Sequence, residues 1–247
     1  MNIMSKLFGF SDIGIDLGSA NIRVWVKGKG LVMDEPSAER SFKDGVTSDF
    51  DTAKKAIRHC LSKVGRCRLR SPRVLISVHS DITEEQKQTL ERAAKAAGAK
   101  EVYLLESSMA AAIGAGIPVA EPKGRMVVEI GASTTEAVVI SLAGIVHSKL
   151  ARVGGDAMNN VIDVLGQITS VARDLLDVTE PELAADLVDN GIVLTGGGAL
   201  LRGLDKRLAD ATGLPVRVAD DPAHATIRGI GIVLDELDFL SKHSKRR

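Results

Sequence analysis

Asp16 closes one apolar run and is followed by Gly18, Ser19, Ala20 and Asn21; Glu129 closes another and is followed by Gly131, Ala132, Ser133 and Thr134. A turn of this kind presents backbone N–H groups to anionic oxygens, glycine lets the backbone come close, and a serine hydroxyl adds a donor. A carboxylate at the strand end suits a hydrated divalent cation, so Asp16 and Glu129 are candidate metal contacts acting through water. The chemistry is that of a phosphate chain with its metal ion. A lone glycine turn is a weak signal, because a tight hairpin capped by an Asp needs the same residues. Here the arrangement occurs twice: Asp16 and Glu129 stand 113 positions apart, as do Gly18 and Gly131. Each copy is strand, acid, small-residue turn, strand, glycine-bearing turn and strand. Such doubling predicts two similar halves whose turns face each other across a cleft.

Two more glycine stretches join the candidates. Thr195-Gly196-Gly197-Gly198 follows an apolar strand and precedes a helical pattern. Three glycines there let a flat, bulky group such as a nucleoside approach, beside a helix N-terminus. Gly154-Gly155-Asp156 opens a further helix, with Asp156 read equally as its N-cap or as part of a ligand contact. Ile3, Met4, Leu7 and Phe8 place one apolar face on Met1 to Phe10, the pattern of a short membrane-surface helix or, equally, of a leader that is disordered or packs on the domain. Arg66, Arg68 and Arg70 form a basic loop, either solvated or set against anionic lipid.

The elements that position these residues alternate. Residues 12–33 read as a three-stranded meander, 47–63 as a helix capped by Ser48 or Asp49, and 73–78 as a strand. A helix capped by Asp81 or Thr83 runs to Ala97, where Gly98 stops it. Val102 to Leu105 is a strand, and Ser107 or Ser108 opens an Ala-rich helix ending at Gly114 or Gly116. The order then repeats: a meander over 126–150, helices over 157–177 and 181–189, a strand over 192–195, a helix over 200–211, a strand over 215–218 and a helix over 226–240, with a basic tail from Ser241. This is an α/β layered chain. The turn-rich stretch Pro118 to Gly124 marks the boundary between the halves.

Composition narrows the function. The 247 residues carry 32 basic and 32 acidic side chains, so net charge provides no attraction for nucleic acid, and 3% aromatics provide few stacking platforms. No apolar run is long enough to span a membrane. Cys60 and Cys67 are too few for a disulfide framework, which predicts a cytoplasmic chain with reduced thiols.

In their order these residues resemble the MreB family of bacterial actin-like, rod shape-determining proteins. The resemblance rests on Asp16 to Asn21, Val26 to Gly30, Lys43 to Val46, Met109 to Gly116, Arg152 to Asp156, Pro181 to Asp186 and Gly191 to Leu204. It implies an actin-like, ribonuclease H-like duplicated fold binding ATP or ADP with Mg2+. Asp16 to Asn21 and Glu129 to Thr135 would be its phosphate loops and Thr195 to Gly198 its adenosine loop. It also implies self-association or a membrane-associated protein partner, membrane contact through Met1 to Phe10, and a place at the inner face of the cytoplasmic membrane. The chain departs from the family in two ways. Only a few residues separate Pro36-Ser37 from Lys43-Asp44, and only Val164 separates Asp163 from Leu165, where the family carries its outer subdomains; the resemblance therefore implies a fold reduced to the two inner subdomains, 1–120 plus 222–247 and 121–221. Ser107 stands where the family places the Glu that positions the attacking water, and serine cannot take that water's proton near neutral pH. No catalytic residue is therefore assigned, and hydrolysis is expected to be inefficient. Glu129 replaces a family Asp, Ala132 and Ser133 replace glycines, and Ile22 replaces a Thr. The competing expectation is a nucleotide-free actin-like adaptor that binds a partner peptide at the membrane.

Overall fold

The computed structural model describes residues 12–37, 49–64, 71–155 and 161–244. Met1 to Phe10, Lys43 to Val46, Ser48, the arginines at 66, 68 and 70, Asp156 and the tail from Lys245 lie outside them. Strands β1 (Ile13–Leu17), β2 (Asn21–Val26) and β3 (Gly30–Pro36) form an antiparallel meander; β4 (Arg73–Val78) lies parallel beside β1, with β5 (Glu101–Glu106) beyond it. The sheet order is β3-β2-β1-β4-β5. A second sheet of β6 (Arg125–Ile130), β7 (Thr135–Ser141), β8 (Gly144–Ala151), β9 (Ile192–Thr195) and β10 (Val216–Val218) runs β10-β9-β6-β7-β8, the same order from the opposite edge. The doubling extends to register. Asp16 pairs with Arg23 and Leu17 with Ile22; 113 positions later, Glu129 pairs with Glu136 and Ile130 with Thr135.

The chain divides into two compact units, 1–78 with 82–105 and 230–247, and 79–81 with 106–229. Residues 106–120 and 222–229, grouped with the first half by sequence, belong to the second unit.

In the first unit Ile13, Ile15 and Leu17 alternate toward α1 (Phe50–Lys63) and α2 (Glu84–Ala97), meeting Ala53, Ile57 and Cys60 from one helix and Leu90, Ala93 and Ala94 from the other. Asp49 caps α1 by accepting the Thr52 N–H at 2.8 Å, and Thr83 caps α2 with a reciprocal Gln86 bond. Burial pushes the Cys60 thiol up to about 12, which leaves it unreactive at neutral pH. The other face of β1 meets α7 (Ala225–Ser244) from residue 230 onward. A Cβ on Gly14 would collide with the Ile230 side chain, and Lys27 Nζ donates to the Leu234 and Asp235 carbonyls at 2.9 and 3.2 Å.

In the second unit Met126, Val128 and Ile130 of β6 and Ala137 and Val139 of β7 face α4 (Val161–Leu176) and α6 (Leu204–Thr212). The opposite face is covered by α3 (Ser107–Gly114), whose buried alanines 110, 111 and 112 let the helix lie close. α4 runs unbroken across Asp163–Leu165, and thirteen residues, 37–49, join β3 to α1, so neither place holds an outer subdomain. α5 spans Pro181–Asn190. Two boundaries differ from the sequence expectation. Residues 197–200 form a 3-10 turn and Gly203, at φ 82°, starts α6 four residues later than the apolar pattern implies. α7 continues to Ser244, through the start of the expected tail.

Both sheets have a meander strand at one edge, and each is strapped to its own helices. Glu35 of β3 accepts from Lys63 of α1 at 2.6 Å and lies 3.1 Å from His59. Lys149 of β8 pairs with Asp174 of α4 at 3.0 Å, and His147 with Glu180, which precedes α5, at 2.9 Å.

Candidate functional site

In the first unit the hairpin between β1 and β2 carries Gly18, Ser19, Ala20 and Asn21. A Cβ on Gly18 would stand 2.7 Å from the Asn21 carbonyl, so the turn itself requires glycine. Asn21 Nδ2 donates to Asp34 Oδ1 at 2.7 Å, and the Ser37 N–H donates to the Ala20 carbonyl at 2.8 Å, which ties the turn to β3. Asp16 is held on two sides: its Oδ1 accepts the Ser77 hydroxyl at 2.8 Å, and its Oδ2 lies 3.5 Å from Arg23 Nη1.

In the second unit two glycine stretches converge on one piece of backbone, Ile130 to Ala132, which holds the third. The turn at 131–134 is closed by the Gly131 N–H donating to the Thr134 carbonyl at 2.8 Å. Gly154 packs on it so closely that a Cβ would stand 2.5 Å from the Gly131 carbonyl and 2.6 Å from that of Ala132, while the Gly155 N–H donates to the Gly131 carbonyl at 2.9 Å. Thr135 Oγ1 donates to the Val153 carbonyl at 2.8 Å and fixes the same junction. From the other side, Cβ atoms on Gly196 and Gly198 would run into Ile130, whereas Gly197 has open space. The fold therefore requires glycine at 196 and 198, and only Gly197 is spare for a ligand. Thr195 is fully buried, and its hydroxyl has no hydrogen-bond partner among the described residues.

Beside this junction lies a group that sequence reasoning missed. Glu129 and Glu136 sit opposite each other on β6 and β7, two like charges on one face of the sheet. Glu136 is 1% exposed. The Thr226 hydroxyl donates to Glu129 Oε1 at 2.5 Å, and the Ser80 N–H to Glu136 Oε1 at 3.2 Å. His79 Nδ1 lies 3.8 Å from Glu136 Oε2. Burial works against a charge on His79, but the Glu136 carboxylate, then Glu129 and Asp81, outweigh it and raise the imidazole pKa above its ordinary value. When protonated, the imidazolium offsets one of the two facing carboxylates. Ser107 Oγ is 3.4 Å from the same His79 Nδ1. A nucleophile relay needs hydroxyl and carboxylate on opposite ring nitrogens, so Ser107, His79 and Glu136 do not form one. The visible clue was the 113-residue offset, which maps Arg23 onto Glu136; nothing in the sequence marked His79. Among the described residues no group of three or more His, Cys, Asp or Glu side chains is placed to hold a metal ion.

The doubled sheets and converging glycine turns agree with comparisons to known proteins. The sequence model of the MreB/Mbl protein family matches residues 38–165 and 159–242. The chain belongs to the MreB/Mbl family. It is 34% identical to the cell shape-determining protein MreB of Escherichia coli strain K12 over 328 aligned positions, covering 93% of this chain and 94% of that protein. To the cell shape-determining protein Mbl of Bacillus subtilis strain 168 it is 33% identical over 325 positions, covering 94% and 98%. The crystal structure of MreB 5 of Spiroplasma citri bound to AMPPNP superposes with a TM-score of 0.87 at 25% identity, covering 96% of this chain and 99% of that one. The fold is therefore actin-like. Since 93% of 247 residues is about 230, roughly a hundred of the 328 positions aligned with the E. coli protein hold no residue of this chain. The family match itself breaks at 159–165, where α4 runs through.

Proposed function

We propose that this chain is a cell shape-determining, actin-like scaffold that binds ATP or ADP weakly and hydrolyses it inefficiently. The observation that carries the nucleotide reading is that Gly154–Gly155 and Gly196–Gly198 pack against the turn at Gly131 while Gly197 is left open, with Thr195 buried beside it. A ligand can approach the backbone at Gly197 without moving a side chain. Ala132 and Ser133 add Cβ atoms to the turn, and this argues for weak affinity. Ser107 offers no carboxylate to orient an attacking water. The chain acts in the cytoplasm at the inner face of the membrane, self-associates or binds a membrane protein, and uses Met1 to Phe10 as its lipid contact.

Calorimetry with ATP and ADP is expected to show binding in the high-micromolar to millimolar range. The corresponding thermal stabilisation is about 1.4 kcal/mol at tenfold excess over Kd, with phosphate release at background. No heat and no thermal shift at millimolar ATP would instead favour the nucleotide-free adaptor, a reading supported by the glycines at 196 and 198 already being used in packing on Ile130. Pelleting and electron microscopy with and without nucleotide and lipid test self-association. Deleting Met1 to Phe10 is expected to reduce liposome binding severalfold; unchanged binding refutes the anchor.

A further inference from the structure

A hydrated divalent cation at Asp16, expected from the resemblance, does not fit the residues present. Mg2+ demands near-octahedral oxygen ligation and keeps most of its waters, so a carboxylate that serves it needs accessible lone pairs and no neighbouring cation. Asp16 has neither. Ser77 takes one oxygen at 2.8 Å and the Arg23 guanidinium sits 3.5 Å from the other. Arg23 is held from its far side by Asp34, whose Oδ1 is 3.3 Å from Arg23 Nε and also accepts from Asn21 of the turn. The side chains of Asp16 and Arg23 are 13% and 16% exposed, so water screens the pair poorly.

We propose that Arg23 is a built-in replacement for the divalent cation of the first turn and closes Asp16 to metal. The repeat supports this. The equivalent of Arg23 in the second sheet is Glu136, so the fold does not demand an arginine at this register position. A guanidinium carries its charge at every accessible pH, so Asp16 keeps this cation whether or not a metal is offered. Only the ATP readout below rests on the nucleotide reading above.

The test uses the full chain and two readouts. Mn2+ alone, followed by electron paramagnetic resonance, is expected not to bind the wild-type protein below millimolar concentration. Arg23→Leu and the milder Arg23→Gln are each expected to gain Mn2+ affinity about tenfold or more, lost again when Asp16→Asn is added. Thermal shift by ATP is expected to be the same in EDTA as in Mg2+ for wild type and to become Mg2+-dependent in the Arg23 variants. Wild-type Mn2+ binding that Asp16→Asn abolishes, or no gain in a folded Arg23 variant, overturns the proposal. An absence of nucleotide shift under every condition removes the nucleotide reading instead, and the Mn2+ result still decides the role of Arg23.

Discussion

Replacing His79 with alanine is expected to destabilise the protein by about 3–5 kcal/mol, the cost of leaving a buried charge without its partner. At 2–4 °C per kcal/mol for a chain of this size, the melting temperature falls by about 10 °C. Glu129 and Glu136 face each other across β6 and β7, and His79, 3.8 Å from Glu136 Oε2, offsets part of their repulsion when it is protonated. Adding Glu136→Gln removes the stranded carboxylate, so the double variant is expected to recover roughly half of the loss; a double variant that loses the sum of the two single effects would disprove the coupling. The pH dependence has a fixed sign. His79 has a raised pKa in the folded protein, so its stabilisation is complete below the unfolded imidazole value near 6.5 and is lost as pH rises through the native value. Denaturant melts from slightly acidic to mildly alkaline pH are expected to show falling stability in wild type and a flatter profile in His79→Ala. Imidazole proton chemical shifts locate the native pKa directly.

The second large effect is at Gly229. A Cβ there would land inside van der Waals contact of the Ala110 carbonyl and 3.0 Å from the Gly114 nitrogen, and one on Gly114 would collide with the Ala225 carbonyl. The opposing atoms are backbone, so no side chain can swing aside, and α3 and α7 must separate. Gly229→Leu is expected to cost about 3 kcal/mol or more, at the upper end of overpacking effects, although leucine has better helix propensity than glycine. Gly166 of α4 is the control. It has nothing within 4 Å of a Cβ, so Gly166→Ala is expected to stabilise by about 0.5–1 kcal/mol. Chemical denaturation of both variants separates packing from propensity; equal effects would show that the α3–α7 crossing tolerates a side chain.

Much of the fold was legible from periodicity. The strands at 73–78 and 192–195 and the helix ended by Gly98 lie where continuous apolar runs, Thr83 and that glycine place them. The internal repeat was legible too, because strand, acid and turn recur at one offset. The start of α6 was not. Leu200 and Leu201 have helix-like spacing, but the left-handed Gly203 breaks the run, and sequence alone does not tell a capping glycine from a turn glycine. The site was only half legible. Glycine content located the turns but not which glycines the fold itself consumes, since that depends on Ile130, distant from 196 and 198 in the chain. The partners of the two acids were hidden for the same reason: Arg23, Ser77 and His79 meet them through sheet register and strand order.

The paired straps on the meander edges carry a consequence for assembly. Glu35 reaches Lys63 and His59 from β3, and Lys149 reaches Asp174 from β8. Exposed ion pairs like these add little to stability, but charged side chains along an outer strand discourage a stranger's backbone from zipping on. Copies of this chain that gather into a polymer would thus not join by extending either sheet from β3 or β8, and concentrated salt, which weakens the straps, would favour the wrong kind of aggregate.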